Sequence, residues 1–321
     1  MQSERSRLTA LLDELQAAER AGATALERWI DASDEPYLRG GLRVVRGRDL
    51  DHAALAHARL QALGGHPGAG VRDDLRALCD VLAEPTVLDR TKLGMLVARY
   101  PNGVLKLFRE LVARIEADGE TRALLEMVSD DDRVNLVWLR EVAERSTTEE
   151  TAEETTTETT TPGEPARVVA FLDALRAAED ASAEVFAAWA AASPADGLRG
   201  GLAAIAARER RHATLLGERL GELGSRPVAA LEATIRAAAV ESFGAAAVDD
   251  RDKLTRLLDR QSGPGGAAAT AHVMRGALGS DDETRAILEL IEATEQASFA
   301  WLRAYRTAMA EDGGSAASAK G

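Results

Sequence analysis

The chain has 321 residues, a length typical of two ordinary domains, and its 45% hydrophobic and 29% charged residues indicate a globular protein. A net charge of −14 argues against nucleic acid or an anionic membrane as a partner, because both need a basic surface. The single cysteine, Cys79, excludes an intrachain disulfide and a cysteine-rich zinc site. Because the first residues and the rest of the chain lack long apolar stretches, we expect a cytoplasmic protein with no membrane partner.

Helical periodicity dominates the first half of the chain, in keeping with an aromatic content of only 4%. The predicted elements, in chain order, are helix A at 6–32, helix B at 37–63, shorter helices within 71–99, helix C at 103–117 and helix D at 120–144. Gly64 and Gly65 follow helix B as capping glycines. Long helices joined by short A–B and C–D turns form antiparallel hairpins, and two hairpins make a four-helix bundle.

A change of composition separates the two halves of the chain. Residues 147–165 consist mainly of Thr and Glu and contain no Lys or Arg, so they cannot bury an apolar face. The sequence therefore predicts a disordered linker at 147–165 between one domain at 1–146 and another at 166–312, with a disordered tail at 313–321.

The second half repeats the first. At a shift of 160 residues Leu38-Arg-Gly-Gly-Leu matches Leu198-Arg-Gly-Gly-Leu, and at a shift of 163 Trp138-Leu-Arg matches Trp301-Leu-Arg. The corresponding predicted elements are helix A at 166–192, helix B at 197–223, shorter helices within 228–261, helix C at 266–278 and helix D at 283–310. A repeat this long indicates a duplicated domain, so the predicted fold is all-α, with two tandem four-helix bundles.

Two further features recur in both copies. Arg39-Gly-Gly and Arg199-Gly-Gly could serve close helix contact or a partner surface, and we favour close contact. The tryptophans are predicted to lie in the core at one end of each bundle, at Trp29, Trp138, Trp189 and Trp301.

Polar side chains interrupt the apolar stripes of three predicted helices in each copy. Helix A carries an acidic residue, helix B an acidic residue and a histidine one turn apart, and helix D another acidic residue. These positions are Glu19, Asp49, His52 and Asp132 in the first copy and Glu179, Glu209, His212 and Glu295 in the second. Antiparallel hairpins bring such positions level, and buried charges must be paired, protonated or bound to metal, so the pattern predicts polar sites in both cores.

The segment Glu209-Arg-Arg-His212 places a carboxylate and an imidazole on one side of a helix, which suits one metal ion or one edge of a dinuclear site. Together with Glu179 on the preceding helix, this motif resembles the ferritin-like superfamily, and its rubrerythrin-like branch in particular. The resemblance covers most of both domains. It implies helices A to D carrying Glu, Glu-x-x-His, Glu and Glu-x-x-His around two irons.

The chain departs from that family pattern on its last two helices. Helix D reads Asp132-x-x-Asn135 and Glu295-x-x-Ser298, without the histidine, and helix C has no glutamate near 104–106 or 266–269. The resemblance then implies one surviving metal position per domain, formed by Glu179, Glu209, His212 and Glu295 or by Glu19, Asp49, His52 and Asp132. Oxygen and nitrogen ligands suit Fe, Mn or Zn, at one ion per domain at most, and a protonated core without metal is the alternative.

Two functions follow from this pattern. The first is a metal-binding protein with a redox role or a role in iron or oxidative-stress chemistry. The second is a non-catalytic helical scaffold that has lost its di-iron centre and associates with itself, through pairing of its own bundles or as a homodimer. The sequence leaves open whether the protein is an enzyme.

Overall fold

The structure is a computed structural model that describes residues 4–100, 104–148, 164–261 and 281–318. Within these ranges all regular secondary structure is helical, which confirms the all-α prediction. The helices are α1 (Glu4–Ala32), α2 (Pro36–Ala62), α3 (Asp73–Ala83), α4 (Asp89–Arg99), α5 (Val104–Val112), α6 (Gly119–Thr148), α7 (Glu164–Ala192), α8 (Asp196–Glu222), α9 (Ala233–Gly244), α10 (Asp250–Gln261) and α11 (Asp282–Ser318). In the described part of the chain, no helix combines the length and apolar character needed to cross a membrane.

Most helix boundaries agree with the sequence prediction, and three differ. Helix α6 continues to Thr148, beyond the predicted end near 144 and into the first residues of the predicted linker. Helix α5 ends at Val112 rather than near 117, because the chain turns there to bring Ile115 into an apolar cluster with Leu8 and Leu12. Helix α11 continues to Ser318, beyond the predicted end near 310 and into the segment predicted as a tail. The predicted linker, apart from its ends, and the second predicted helix C at 266–278 lie outside the described residues.

The contacts between residues divide the chain into two compact units. One comprises Met1–Ala166 with Leu278–Leu290, and the other comprises Arg167–Ala277 with Ile291–Gly321. The first residues of α11 thus group with the first unit, whereas the sequence pattern assigned the whole helix to the second domain.

In the first unit, α2 lies between α1 and α6 and runs antiparallel to both. Contacts with α1 join Glu27 to Arg46 and Arg5 to the Leu63 carbonyl, so the two helices run in opposite directions. The pairs along α2 and α6 follow the same rule: Gly41 with Trp138, Arg48 with Asn135, His52 with Asp131 and Arg59 with Thr121. This register determines which polar side chains meet in the core.

The second unit repeats this arrangement with α7, α8 and the part of α11 from Ile291 onward. The pairs are Glu179 with His212 between α7 and α8, and Gly201 with Trp301, Arg208 with Ser298 and His212 with Glu295 between α8 and α11. Helix α8 therefore runs antiparallel to α11, as α2 does to α6.

Both α2 and α8 end in the same glycine turn. Gly64 and Gly224 have φ angles of 73° and 74°, a left-handed conformation that glycine adopts without strain. The Gly65 and Ser225 amides donate to the Leu60 and Leu220 carbonyls, which satisfies the last turn of each helix. The prediction that Gly64 caps helix B is confirmed, and Gly224 caps the matching helix of the second unit in the same way.

A buried hydrogen-bond network ties the end of the first helix of each unit to a short helix. In the second unit, Asp250 at the start of α10 accepts from Trp189 Nε1 at 2.7 Å and from Ser193 Oγ at 2.6 Å. Lys253 Nζ lies 3.9 Å from Asp250, and its side chain is almost completely buried. The first unit has the same network, with Trp29, Ser33, Asp89 and Lys92.

Glycines allow the remaining two tryptophans to approach the central helices. A Cβ atom on Gly41 would overlap the Trp138 ring, and one on Gly201 would overlap the Trp301 ring. The Arg-Gly-Gly segments therefore serve close helix packing, as predicted. All four tryptophans are buried, again in agreement with the prediction.

Candidate metal centres

The register of the first unit gathers its predicted polar residues at one level of the core. One ligand atom each of Glu19, Asp49 and His52 lies within 4.8 Å of the others. Asp132 of α6 is outside that set, but it lines the same cavity as Glu19 and Asp49. Three helices thus supply three carboxylates and one imidazole to one small volume.

The two ring nitrogens of His52 have different surroundings. Nε2 lies 2.9 Å from Asp131 Oδ2, a hydrogen bond between two buried side chains. Nδ1 lies 3.5 Å from Glu19 Oε1 and has no hydrogen-bond partner among the described residues. If Nε2 donates its proton to Asp131, Nδ1 keeps a lone pair on the side of the carboxylates. A histidine that ligates a metal is usually held by a carboxylate in this way.

Asp131 was missed by the sequence interpretation, which singled out its neighbour Asp132. The signal was present in the acidic run Asp130–Asp132, but only the α2–α6 register shows that the middle residue meets His52. A second missed residue is Arg48, which is buried and donates to Asn135 Oδ1. Asn135 is the helix D residue at which the resemblance implies a histidine, and here it accepts from the Arg48 guanidinium instead.

The second unit forms a matching cluster from Glu179, His212 and Glu295, with ligand atoms again within 4.8 Å of one another. His212 Nδ1 lies 3.3 Å from Glu179 Oε2 and 3.5 Å from Glu295 Oε1. Glu295 Oε1 is buried and has no hydrogen-bond partner among the described residues. Glu209 lies outside the 4.8 Å set and instead hydrogen-bonds to Glu179 and Glu295.

The second unit also repeats the buried arginine. Arg208 Nη1 donates to Ser298 Oγ at 2.9 Å, and both side chains are buried. Ser298 stands at the second position where the family pattern has a histidine. Each unit therefore carries a carboxylate and histidine cluster and one buried arginine that donates to a polar side chain of α6 or α11, Asn135 or Ser298.

Burial and the repulsion of neighbouring carboxylates make Asp49 and Asp132 of the first cluster hard to ionise. The pKa of Asp49 is raised well above its ordinary value by burial and by the nearby charge of Glu19. The same two causes raise the pKa of Asp132 to about 7. Burial alone would lower the pKa of His52, but its hydrogen bond with Asp131 and the nearby carboxylate of Glu19 outweigh burial and raise it. The metal-free cluster thus retains protons that isolated side chains would lose.

In the second cluster, the pKa values of Glu209 and His212 are raised and that of Glu179 is lowered. Burial, Glu295 and Glu179 raise the pKa of Glu209 well above its ordinary value. His212 reaches a pKa of about 9, because its hydrogen bond with Glu179 and the nearby carboxylate of Glu295 outweigh the opposing effect of burial. For Glu179, burial would raise the pKa, but the hydrogen bond from His212 lowers it below its ordinary value.

These pKa values predict that the metal-free protein loses stability as the pH rises from about 5 to 9. A histidine with a raised pKa stabilises the folded state below pH 6.5, and that stabilisation disappears as the pH passes the folded value, about 9 for His212. Carboxyls with raised pKa values change stability in the same direction, because the folded state resists their ionisation. The His212 contribution alone amounts to roughly 3 kcal/mol, at about 1.4 kcal/mol per pH unit.

The measurement is the melting temperature in EDTA at pH 5, 7 and 9, followed by circular dichroism. The lowered pKa of Glu179 acts in the opposite sense only below its ordinary value of 4.5, outside this range. The double variant His52→Ala/His212→Ala should show a flatter dependence. A melting temperature that rises steadily from pH 5 to 9 in the wild type would contradict the protonated clusters.

Comparisons of the chain with protein-family models, with curated proteins and with solved structures gave no significant match. The molecule is defined here by its own features, as an all-α protein whose two compact units each hold a carboxylate and histidine cluster.

Proposed function

We propose that the chain is a tandem ferritin-like protein in which each unit forms a four-helix bundle around one transition metal ion. In the first bundle, helices A to D correspond to α1, α2, α5 and α6. In the second, A, B and D correspond to α7, α8 and α11, and the residues predicted as helix C, 266–278, lie outside the described residues. The antiparallel register of the central helix in each unit supports this assignment.

The observation that carries the proposal is the repeated cluster with buried ligand atoms. His52 Nδ1 and Glu295 Oε1 are buried and lack hydrogen-bond partners among the described residues, which is costly in an apolar core. A cation among these atoms would remove that cost and the repulsion between the carboxylates. Within each cluster, the ligand atoms of the three residues lie within 4.8 Å of one another. This separation is close to the roughly 4 Å that divides ligand atoms on opposite sides of one ion.

The residues that would hold the ion are Glu19, Asp49 and His52 with Asp132 adjacent, and Glu179, His212 and Glu295 with Glu209 adjacent. These nitrogen and oxygen donors suit Fe, Mn or Zn. The buried guanidinium groups of Arg48 and Arg208 favour one ion per unit, because a second cation beside a buried positive charge would be repelled. Bound Fe or Mn would supply redox chemistry with oxygen or peroxide, which is the basis for a role in iron or oxidative-stress chemistry.

The proposal is tested by elemental analysis of the protein after anaerobic reconstitution with Fe(II), Mn(II) or Zn(II). We expect up to two ions per wild-type chain, about one in His212→Ala, and none in His52→Ala/His212→Ala. Binding should weaken on acidification, because the ligands must lose their protons.

The matched control is His57→Ala, which removes a histidine from the same helix as His52. His57 hydrogen-bonds to Gln16 and belongs to neither cluster. Its metal content should equal that of the wild type, and circular dichroism should show that all variants remain helical. An unchanged ion count in the double variant would refute the assignment.

A non-catalytic, self-associating scaffold is the second candidate. It is favoured by the 3.3 Å contact between His212 Nδ1 and Glu179 Oε2, which a protonated network can maintain without an ion. Leu107 and Leu111 of α5 are 69% and 51% exposed and offer apolar surface for self-association. No bound metal under any condition, together with a dimeric mass by light scattering, would favour this candidate.

A further inference from the structure

The first unit contains a cavity of about 150 Å³ next to its carboxylate cluster. Most of its wall is aliphatic, and the short helices and α6 supply Leu75, Leu78, Leu82, Leu96, Leu136 and Leu139. The carboxyl groups of Glu19, Asp49 and Asp132 are also part of the wall. The metal proposal uses these carboxylates and leaves the apolar space without a role.

Smaller residues in the first copy account for space near the cluster. Gly22 corresponds to Ser182, and Asp49 to Glu209, at a shift of 160. At a shift of 163, Asp132 corresponds to Glu295. Each first-copy residue has fewer atoms than its counterpart, and all three line the cavity. The first copy therefore has the same pattern of carboxylates as the second, but its side chains at these three positions fill less of the space.

The size and lining of the cavity specify the kind of molecule that fits. An aliphatic cavity of about 150 Å³ can hold a single benzene-sized ring, and larger ligands need pockets of roughly 300 Å³ or more. An anion would be repelled by the carboxylates. An ammonium group would compete with the proposed metal ion for them. An uncharged ring with one hydroxyl fills the apolar part and can donate a hydrogen bond to a carboxylate, so the polar group of the ligand is itself paired in the cavity.

We propose that the first unit binds a small uncharged ring compound bearing a hydroxyl group, of the size of phenol, in this cavity beside the metal site. The proposal rests on the proposed function only in that the ion is taken to hold the carboxylates. The cavity itself exists without the ion.

The test measures binding of phenol, benzylamine and benzoate to the full chain by titration calorimetry, with EDTA-treated and metal-reconstituted protein. Cys79 provides a second readout, because it is the single cysteine of the chain and lines the cavity. Bound phenol should slow alkylation of Cys79 by iodoacetamide at least threefold. Benzoate should not bind, and benzylamine should not bind the metal-loaded protein.

Two cavity-filling variants, Leu82→Phe and Leu78→Phe, should each weaken phenol binding at least tenfold and leave the ion count unchanged. Leu82 precedes Asp89 by seven residues, and Phe243 precedes the matching Asp250 by seven residues. The second copy therefore already has phenylalanine at the position of Leu82, which gives Leu82→Phe a natural precedent. The matched control Leu107→Phe enlarges an exposed leucine outside the cavity and should bind phenol like the wild type. Wild-type protein should not bind 3,5-di-tert-butylphenol, because this compound is too large for the cavity. This measurement does not require any variant to fold.

The outcomes separate the two proposals. Phenol binding by EDTA-treated protein that takes up no metal would support the cavity proposal and refute the metal proposal. Metal uptake without saturable phenol binding would overturn the cavity proposal alone. Phenol binding that survives both filling variants, or benzylamine binding more tightly than phenol to metal-loaded protein, would also overturn it.

Discussion

Asp250→Ala is expected to destabilise the second unit by about 3–5 kcal/mol, the range for removing one partner of a buried ion pair. The substitution leaves Trp189 Nε1 without its acceptor and removes the carboxylate that forms an ion pair with the buried Lys253 Nζ. Ser193 Oγ loses its 2.6 Å hydrogen bond to the same carboxylate. Urea unfolding of the full chain, followed by circular dichroism and tryptophan fluorescence, would show an early transition for the second unit.

Asp252→Ala is the matched control for this prediction. Asp252 lies in the first turn of the same helix and is exposed, so its removal deletes the same charge without touching the network. We expect a loss of at most about 1 kcal/mol, the usual size of a favourable charge at a helix start. Asp250→Asn keeps one acceptor and should fall between the two. Equal stability of the Asp250→Ala and Asp252→Ala variants would show that the network does not stabilise the unit.

Gly201→Ala is expected to destabilise the second unit by about 2–3 kcal/mol, although alanine favours a helix over glycine by about 1 kcal/mol. The new methyl group would overlap the Trp301 ring, and this buried ring cannot move without displacing its neighbours. The same substitution at Gly217 of α8 places the methyl group 3.6 Å from Arg176 Cδ, an ordinary contact. Gly217→Ala should therefore be neutral or slightly stabilising.

A double-mutant cycle separates this overlap from other effects. If the ring is the obstacle, Gly201→Ala/Trp301→Leu should be more stable than the sum of the two single variants by at least about 1 kcal/mol. Unfolding in urea gives all four free energies. Additive effects in the cycle, or a Gly201→Ala variant as stable as Gly217→Ala, would contradict the prediction. Either result would mean that overlap with the Trp301 ring does not lower the free energy of unfolding.

The sequence predicted the long helices well, because their apolar stripes and capping residues are local signals. Helix α2 was predicted at 37–63 and observed at Pro36–Ala62, with Gly64 in the expected turn. Helix α5 was predicted too long, because its end depends on Ile115 packing into a cluster of distant residues. Periodicity within one helix carries no information on such contacts.

The candidate sites were predicted in composition but not in geometry. Stripe positions identified the ligand candidates, because each one replaces an apolar residue on a core face. The partner of His52 could not be predicted in this way, since Asp131 meets it only through the register of α2 against α6. The same holds for the acceptor of Trp189, because Asp250 lies 61 residues further along the chain.

The repeated Trp–Ser–Asp–Lys network shows how the two halves have diverged since the duplication. Trp29, Ser33, Asp89 and Lys92 recur without change as Trp189, Ser193, Asp250 and Lys253, although one residue has been inserted between the second and third of them. The cluster residues have instead changed from Asp49 to Glu209 and from Asp132 to Glu295. The network lies at the end of α1 and α7 and is separate from the cluster residues, so a substitution in the cluster of one half leaves untouched the contacts that hold the short helix in either half.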